Sequence, residues 1–486
     1  MLLFHGIFHP RWLAVHRDSP PAAPRNCRNA ADRLSFGALI VLAVGLAGNR
    51  VVAEESTPFR LAVFSAEVTI PRGHRCMGLL PTKSQRIVDP LYAHGLVLLS
   101  ADDPIVLCAV DWCEIRNGAY DQWRDALAAA AGTTRQRVLV SALHQHDAPV
   151  VDSGAARLLR EAGLPGELYD ERFHDQTVAR VAEALKLSLP QAKPITHIGL
   201  GQARIDAVAS NRRIEYPDGR VAYDRGSRSQ HDKFLAAAPV GLIDPLLKTI
   251  SFWNEQQPIA ALHSYATHPM SYYGNGEVTS DFVGLAREQR RRDDLSIQQI
   301  YVSGCSGDIT AGKFNDGSPA KRIELTARIY QGLVDAWHDT TVVPLAKLEF
   351  RHTELVLDYH PNPNLTVDRL EQSLHDPALA VEKRIHAAMS LATRQRLASD
   401  PSIDLPCIDL GPAQIVLFPA EAFVAYQLMA QKLRPESFVM SIGYGECWPG
   451  YIPTQQAFEE NFADQWLWTA PGAEQRIQQA LGRVLQ

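Results

Sequence analysis

At 486 residues the chain is long enough for one large catalytic domain or two to three smaller ones. Its 46% hydrophobic, 21% charged and 8% aromatic residues are those of a globular protein and exclude a disordered or fibrous one. A formal net charge of -6 offers no attraction to a polyanion, so nucleic acid is excluded as a partner held by charge.

Residues 1–53 read as a leader. Pro, Arg and His crowd its first part without periodicity. LSFGALIVLAVGLAG (34–48) then follows Arg25, Arg28 and Arg33 and precedes Val51, Val52 and Ala53. A basic region, a short apolar core and small residues, in that order, predict a secretory signal cleaved after Ala53, hence a periplasmic or extracellular protein. The apolar run is shorter than the roughly 20 residues of a membrane span, and an uncleaved anchor is the alternative. The remainder, 54–486, holds no other window near a span and is expected to form a single large domain. It keeps six cysteines, Cys76, Cys108, Cys113, Cys305, Cys407 and Cys447, none in a C-x-x-C pair. They are expected to form up to three disulfides or to remain structural or free thiols.

Along this domain, apolar runs alternate with amphipathic stretches. Strands are predicted at RLAVFSAEV, GLVLLS, PIVLCAVDW, RVLVSAL, PIAALHSYA, IQQIYVSG, KLEFRHTELVL, AQIVLFP and SFVMSIG. Several are unbroken Val/Ile/Leu runs, the pattern of strands buried on both faces. Helices are predicted at 121–132, 171–189, 322–339 and 421–434, and the basic run REQRRRDD (287–294), balanced by acids, reads as a solvated helix face. The expected class is α/β, with mixed sheets covered by helices. The polar, Pro-containing segment 358–377 reads as a surface excursion.

Polar residues gather just after these strands. LVSALHQHDAPV (139–150) carries His144 and His146 two residues apart, a spacing that puts both on one side of a strand. With seventeen histidines in the chain, chance supplies roughly 0.6 such pairs, so two exposed residues closing a strand are the alternative. PIAALHSYATHPM offers His263 and His268, whose spacing lets only one reach a common site. IQQIYVSGCSGDITAGKFN runs into a glycine-bearing loop, AQIVLFPAEAF delivers Glu421, and SFVMSIGYGECWPGYIPT delivers Tyr451. In sheet-based α/β folds ligands collect at the carboxyl ends of strands. Two imidazoles and a carboxylate form an ordinary catalytic zinc shell, and a tyrosine oxygen is a suitable fourth ligand.

In this order the pieces resemble the neutral/alkaline non-lysosomal ceramidase family. The similarity runs from FRLAVFSAEVTIPRGHRCMG through IVDPLYAHGLVL and CAVDW to GYIPT. The resemblance implies a zinc ion held by His144, His268, Glu421 and Tyr451, with His146 as an acid/base residue. It also implies a substrate-proximal Arg212 in SNRR and a hydroxyl from Thr310 in SGDIT near the reacting centre. Cys305 stands where the family usually has Asn, Thr310 where it has Ser, and Phe462 near the place of a further tyrosine that stabilises the oxyanion. No counterpart of the family's C-terminal β-sandwich domain is expected in the residues that follow Tyr451 here.

The expected function is a zinc-dependent hydrolase that cleaves an amide, in ceramide or another N-acyl compound, by zinc-activated water. The substrate is a small-molecule or lipid-like N-acyl compound, met in solution or at a membrane surface. Two alternatives stand beside it: a hydrolase with Cys305 as nucleophile, and a domain that keeps the metal and only binds a ligand.

Overall fold

The computed structural model describes residues 59–485, so the leader expected at 1–53 lies outside the described residues. Three β-sheets make the frame. The first runs in the order Val138–Ala142, Ile105–Val110, Tyr92–Leu99, Arg60–Glu67, Lys193–Pro194. The second runs Gln298–Ser303, Gln257–Tyr265, Leu246–Asn254, His197–Arg204, Thr341–Pro344, and the third Glu349–Val356, Ser402–Asp409, Ala413–Leu417, Phe438–Ile442. Each sheet is antiparallel except for one parallel pair at an edge. A parallel pair needs a crossover, and each has a helix in it: Asn117–Ala131, Asp281–Asp293 and Val424–Leu433 respectively. The fold therefore repeats one device, a βαβ unit on the edge of a mixed sheet, three times.

The sheets share a core. Leu96 and Leu107 of the first, Ile250, Leu262 and Ile300 of the second, and Ile415 and Met440 of the third belong to one buried apolar cluster. The continuous apolar runs seen in the sequence are thus strands covered on both faces. Among the described residues no helix is long and apolar enough to cross a membrane.

The helices start and stop for local reasons. Asp170 accepts from the Phe173 N–H to cap Glu171–Ser188, and Ser318 caps Pro319–His338, whose first residue lacks the N–H it would otherwise leave unpaired. Gly132 ends Asn117–Ala131 in the left-handed region, at φ 72°. The helix expected from 421 begins only at Val424, because Glu421–Ala422 pairs as a short parallel ladder with Tyr451–Ile452.

Several expectations need correction. The basic run is not simply solvated: Arg287 and Arg290 are buried, and Arg287 makes a bidentate ion pair with Asp111. Segment 358–377 is not only an excursion, since it contains the helix Val367–His375, which buries Leu370 and Leu374. Strands Leu246–Asn254 and His197–Arg204 escape the apolar-run pattern. The first contains the buried Lys248, whose ammonium donates to the Val439 carbonyl, and the second contains Gly199 and Gly201. An added Cβ at Gly201 would lie 2.0 Å from the Ala336 carbonyl oxygen, so the glycine lets the strand and a helix touch. All six cysteines of the described residues are free and buried, with no disulfide among them.

Candidate metal centre

The carboxyl ends of all six strands of the three βαβ units meet at one place. Ile105–Val110 leads to Cys113 and Glu114, and Val138–Ala142 to His144 and His146. Gln257–Tyr265 leads to His268 and Gln298–Ser303 to Ser306. Ala413–Leu417 leads to Glu421 and Phe438–Ile442 to Tyr444. A cavity of about 200 Å³ there is lined by His144, His146, Arg212, Glu421 and Tyr451, together with Glu114, Asp464 and Trp466.

His144 and His146 do not share a strand face, contrary to expectation. The strand ends at Ala142, and His144 sits in the left-handed region at φ 72°, where a non-glycine residue is strained. The His144 N–H donates to the Trp112 carbonyl at 2.9 Å, and its ring stacks on Tyr444 with centroids 4.2 Å apart. The turn, not the strand, brings the two rings to the cavity, edge to face at 5.4 Å.

Three ligand atoms converge. His144 Nε2 lies 3.2 Å from His268 Nε2, and Glu421 Oε2 lies 2.9 Å from His268 Nε2 and 3.4 Å from His144 Nε2. On the far side of each ring, Nδ1 faces carbonyl oxygens: Cys113 at 3.0 Å for His144, and Ser306 at 2.6 Å and Ile309 at 3.0 Å for His268. A carbonyl only accepts, so each Nδ1 carries the proton and each neutral ring turns a lone pair inward at Nε2. Two lone pairs and a carboxylate facing one another favour a positive charge among them, and, against burial, Glu421 raises the His144 pKa for the same reason.

A tetrahedral ion with bonds of about 2.0–2.1 Å sets its ligand atoms roughly 3.3 Å apart, close to the separations found, and nitrogen and oxygen donors suit zinc. The residues therefore fit the ion. Burial would raise the Glu421 carboxyl, but the adjoining His144 and then His268 outweigh it and hold the group well below the usual range. Burial lowers the His268 imidazole to about 4, with Arg212 adding to the effect.

Tyr451 pairs opposite Glu421 in the two-residue ladder, and its hydroxyl accepts from Arg212 Nη1 at 3.0 Å. Arg212 follows Ser210–Asn211, which pairs with Ile309–Thr310, and its backbone N–H donates to the Asp308 carbonyl. His146 is buried, Tyr273 meets it edge on at 4.7 Å, and its Nδ1 has no hydrogen-bond partner. Burial, with His144 and His268 next, holds its pKa well below 6.5, so the ring is neutral.

Thr310 does not line the cavity. Its hydroxyl accepts from the Gly312 N–H and is directed at the carbonyl of Gly226, a wall residue. Cys305 is wholly buried away from the cavity, and burial, then Asp308, push its thiol well above the ordinary value. That corrects the nucleophile alternative, which needs an accessible thiolate. Phe462 packs on Tyr451, Tyr223 and Phe423 and brings no polar group to the wall. His263 is buried between Thr249 and Gln299, outside the cavity.

Three wall or support residues escaped the sequence reading. Glu114 stands two positions past the strand segment read as PIVLCAVDW, Tyr444 supports His144, and Asp464 sits two positions past Phe462. For Glu114 an acid directly following a buried strand was the available signal.

No protein-family model matches the chain, and no curated protein sequence matches it. Among solved structures it is similar to the neutral ceramidase of Pseudomonas aeruginosa, with a TM-score of 0.63 and 15% identity over 88% of this chain and 74% of that one. It is also similar to a ceramidase complexed with C2, with a TM-score of 0.62 and 15% identity over 88% of this chain and 75% of that one. At such identity the likeness is one of architecture, and the protein has the fold of the neutral ceramidases, as the resemblance in its sequence implied.

Proposed function

We propose that the protein is a metal-dependent amidohydrolase that cleaves an N-acyl compound with water, and that zinc is its metal. The observation that carries the reading is the convergence of His144 Nε2, His268 Nε2 and Glu421 Oε2 within 3.4 Å, with both Nδ1 atoms fixed by carbonyls. These three residues would hold the ion, with Tyr451 as a fourth ligand. When bound, zinc supplies Lewis acidity that polarises a carbonyl and makes water easier to deprotonate.

The remaining chemistry falls to the chain's own side chains. His146, neutral and with a free Nδ1, accepts the proton of the attacking water and returns it to the leaving amine nitrogen. Arg212, held by Tyr451, donates toward the carbonyl oxygen as negative charge develops there. Thr310 acts through the wall, pairing with the short strand that leads into Arg212. Ceramide is one substrate of this class, by analogy of fold. Export rests on the leader pattern at 25–53.

Metal analysis of the purified protein is expected to find one zinc per chain, lost in His268→Ala. His146→Ala should keep the metal and lose about 10²–10⁴ in turnover. Wild type that binds no stoichiometric metal would overturn the reading. Phe462, without a hydroxyl, favours the alternative of a ligand-binding domain that keeps its metal, and zinc-replete protein inert toward a broad panel of N-acyl amides would establish it.

A further inference from the structure

We propose that the amine half of the substrate is compact and rich in hydroxyl groups, a short-chain N-acylated amino sugar or its close kin, and not a two-tailed lipid. This rests on the amide-hydrolase reading.

The first observation is size. The cavity of about 200 Å³, open at its rim, is smaller than the roughly 300–1,000 Å³ of sites that enclose drug-sized ligands, so the part of the substrate enclosed beside the amide is a small ring or chain. The second is its rim. The most exposed wall residues are Gly226, Asp464 and Gln465, none with a large apolar side chain, while Met77 and Tyr273 are half-buried. None of the fully exposed large apolar side chains among the described residues lines the cavity, so the apolar surface at its mouth is limited to the half-buried Met77 and Tyr273.

The third is what the wall offers a ligand. Glu114 is only 3% exposed, and one carboxylate oxygen is held by Arg116 at 3.2 Å. Arg116 is itself wholly buried, with its guanidinium over the Trp468 ring. The other oxygen of Glu114 meets no donor among the described residues. This carboxylate has an oxygen within 4.8 Å of a His144 nitrogen and a Glu421 oxygen, so a donor bound to it sits within a few bonds of the reacting carbonyl. At the rim, Asp464 accepts from the Trp466 N–H at 2.8 Å and keeps further lone pairs for a ligand. Arg212 Nε, a donor, has no partner either.

A small cavity that sets unpaired acceptors and one donor between the apolar walls of Met77, Val150, Met270 and Trp466 is satisfied by a compact ligand whose hydroxyl groups both donate and accept. A methylene chain would leave the buried carboxylate desolvated and unpaired.

The test uses the zinc-loaded full chain with three compounds: N-acetylglucosamine, N-acetylcyclohexylamine, which has a ring of the same size without hydroxyls, and N-palmitoylsphingosine in mixed micelles. Calorimetric binding and amine release are both read. The amino sugar should bind at least tenfold tighter than N-acetylcyclohexylamine and be cleaved with at least tenfold higher kcat/KM than either other compound. Asp464→Asn at the rim and Glu114→Gln at the floor should each raise KM for the amino sugar about tenfold, with zinc content retained. Equal binding of the two ring compounds, or a higher kcat/KM for the lipid, would overturn the inference and leave the hydrolase reading intact. Selective binding of the amino sugar without cleavage of any compound would support the subsite and retire the hydrolase reading.

Discussion

At the scale of single residues, the candidate site was legible where chemistry demands a residue type and illegible where conformation demands a shape. Histidines and an acid directly after apolar strands are chemically conspicuous, but it was the resemblance to the ceramidase segments that singled out His144, His268, Glu421 and Tyr451 as the candidate set. The left-handed turn at His144 left no trace, since glycine is the residue that usually marks such a turn and none stands there. Tyr444 was invisible for the same reason: its role as the plate under His144 depends on a tertiary contact. Burial also sets the pH response. Glu446 is buried, accepts from the Asn117 and Trp448 N–H groups through Oε1, and leaves Oε2 unpartnered. Burial raises its carboxyl to about 8 despite Arg396. The folded state thus keeps a proton that the unfolded chain releases near the ordinary carboxylate value. The associated stability is fully present below about 4.5 and is lost as pH rises through about 8. Glu446→Gln should therefore gain on wild type by a few kcal/mol between pH 5 and pH 9, measured by denaturant unfolding at both values.

At the scale of elements, the strands of the βαβ units were readable because double-sided burial writes an unbroken apolar run. The two-residue ladder that pairs Glu421 with Tyr451 was not, being too short for any periodicity. Its entry is Gly450, at φ 61°, where an added Cβ would fall 1.8 Å from the Trp466 carbonyl oxygen. That same carbonyl accepts from the Tyr451 N–H, and the Gly450 carbonyl accepts from the Glu421 N–H. Gly450→Ala should thus cost about 3 kcal/mol or more and weaken zinc binding. Gly472 also has positive φ, at 97°, but an added Cβ there meets nothing within 4 Å. Gly472→Ala should cost only the backbone term of about 1–2 kcal/mol and leave zinc affinity unchanged. Equal effects of the two substitutions on zinc affinity would show that the ladder does not set the geometry of the centre.

At the scale of the molecule, the three atoms that converge come from three different sheets: His144 follows the first, His268 the second and Glu421 the third. Alternating strand and helix patterns announced the α/β class, but nothing local states that three units share one focus, because that fact resides in the packing of Leu107, Ile300 and Ile415 into a common core. An ion bound at the focus would tie the sheets together. Zinc at a thousandfold excess over its Kd should stabilise the fold by about 4 kcal/mol, seen as a single thermal transition that shifts upward on metal addition and back on chelation. His268→Ala should unfold at the same temperature with and without the metal.

The six buried thiols give the molecule a set of built-in clocks. Cys108 lies in the first sheet and Cys407 in the third, Cys305 in the loop after the second, and Cys113 beside the His144 ring it anchors. A sulfur sealed from solvent reacts with an alkylating reagent only when its surroundings open. The order in which these positions acquire label in native buffer records which sheet loosens first, and at Cys113 it times the breathing of the cavity wall itself.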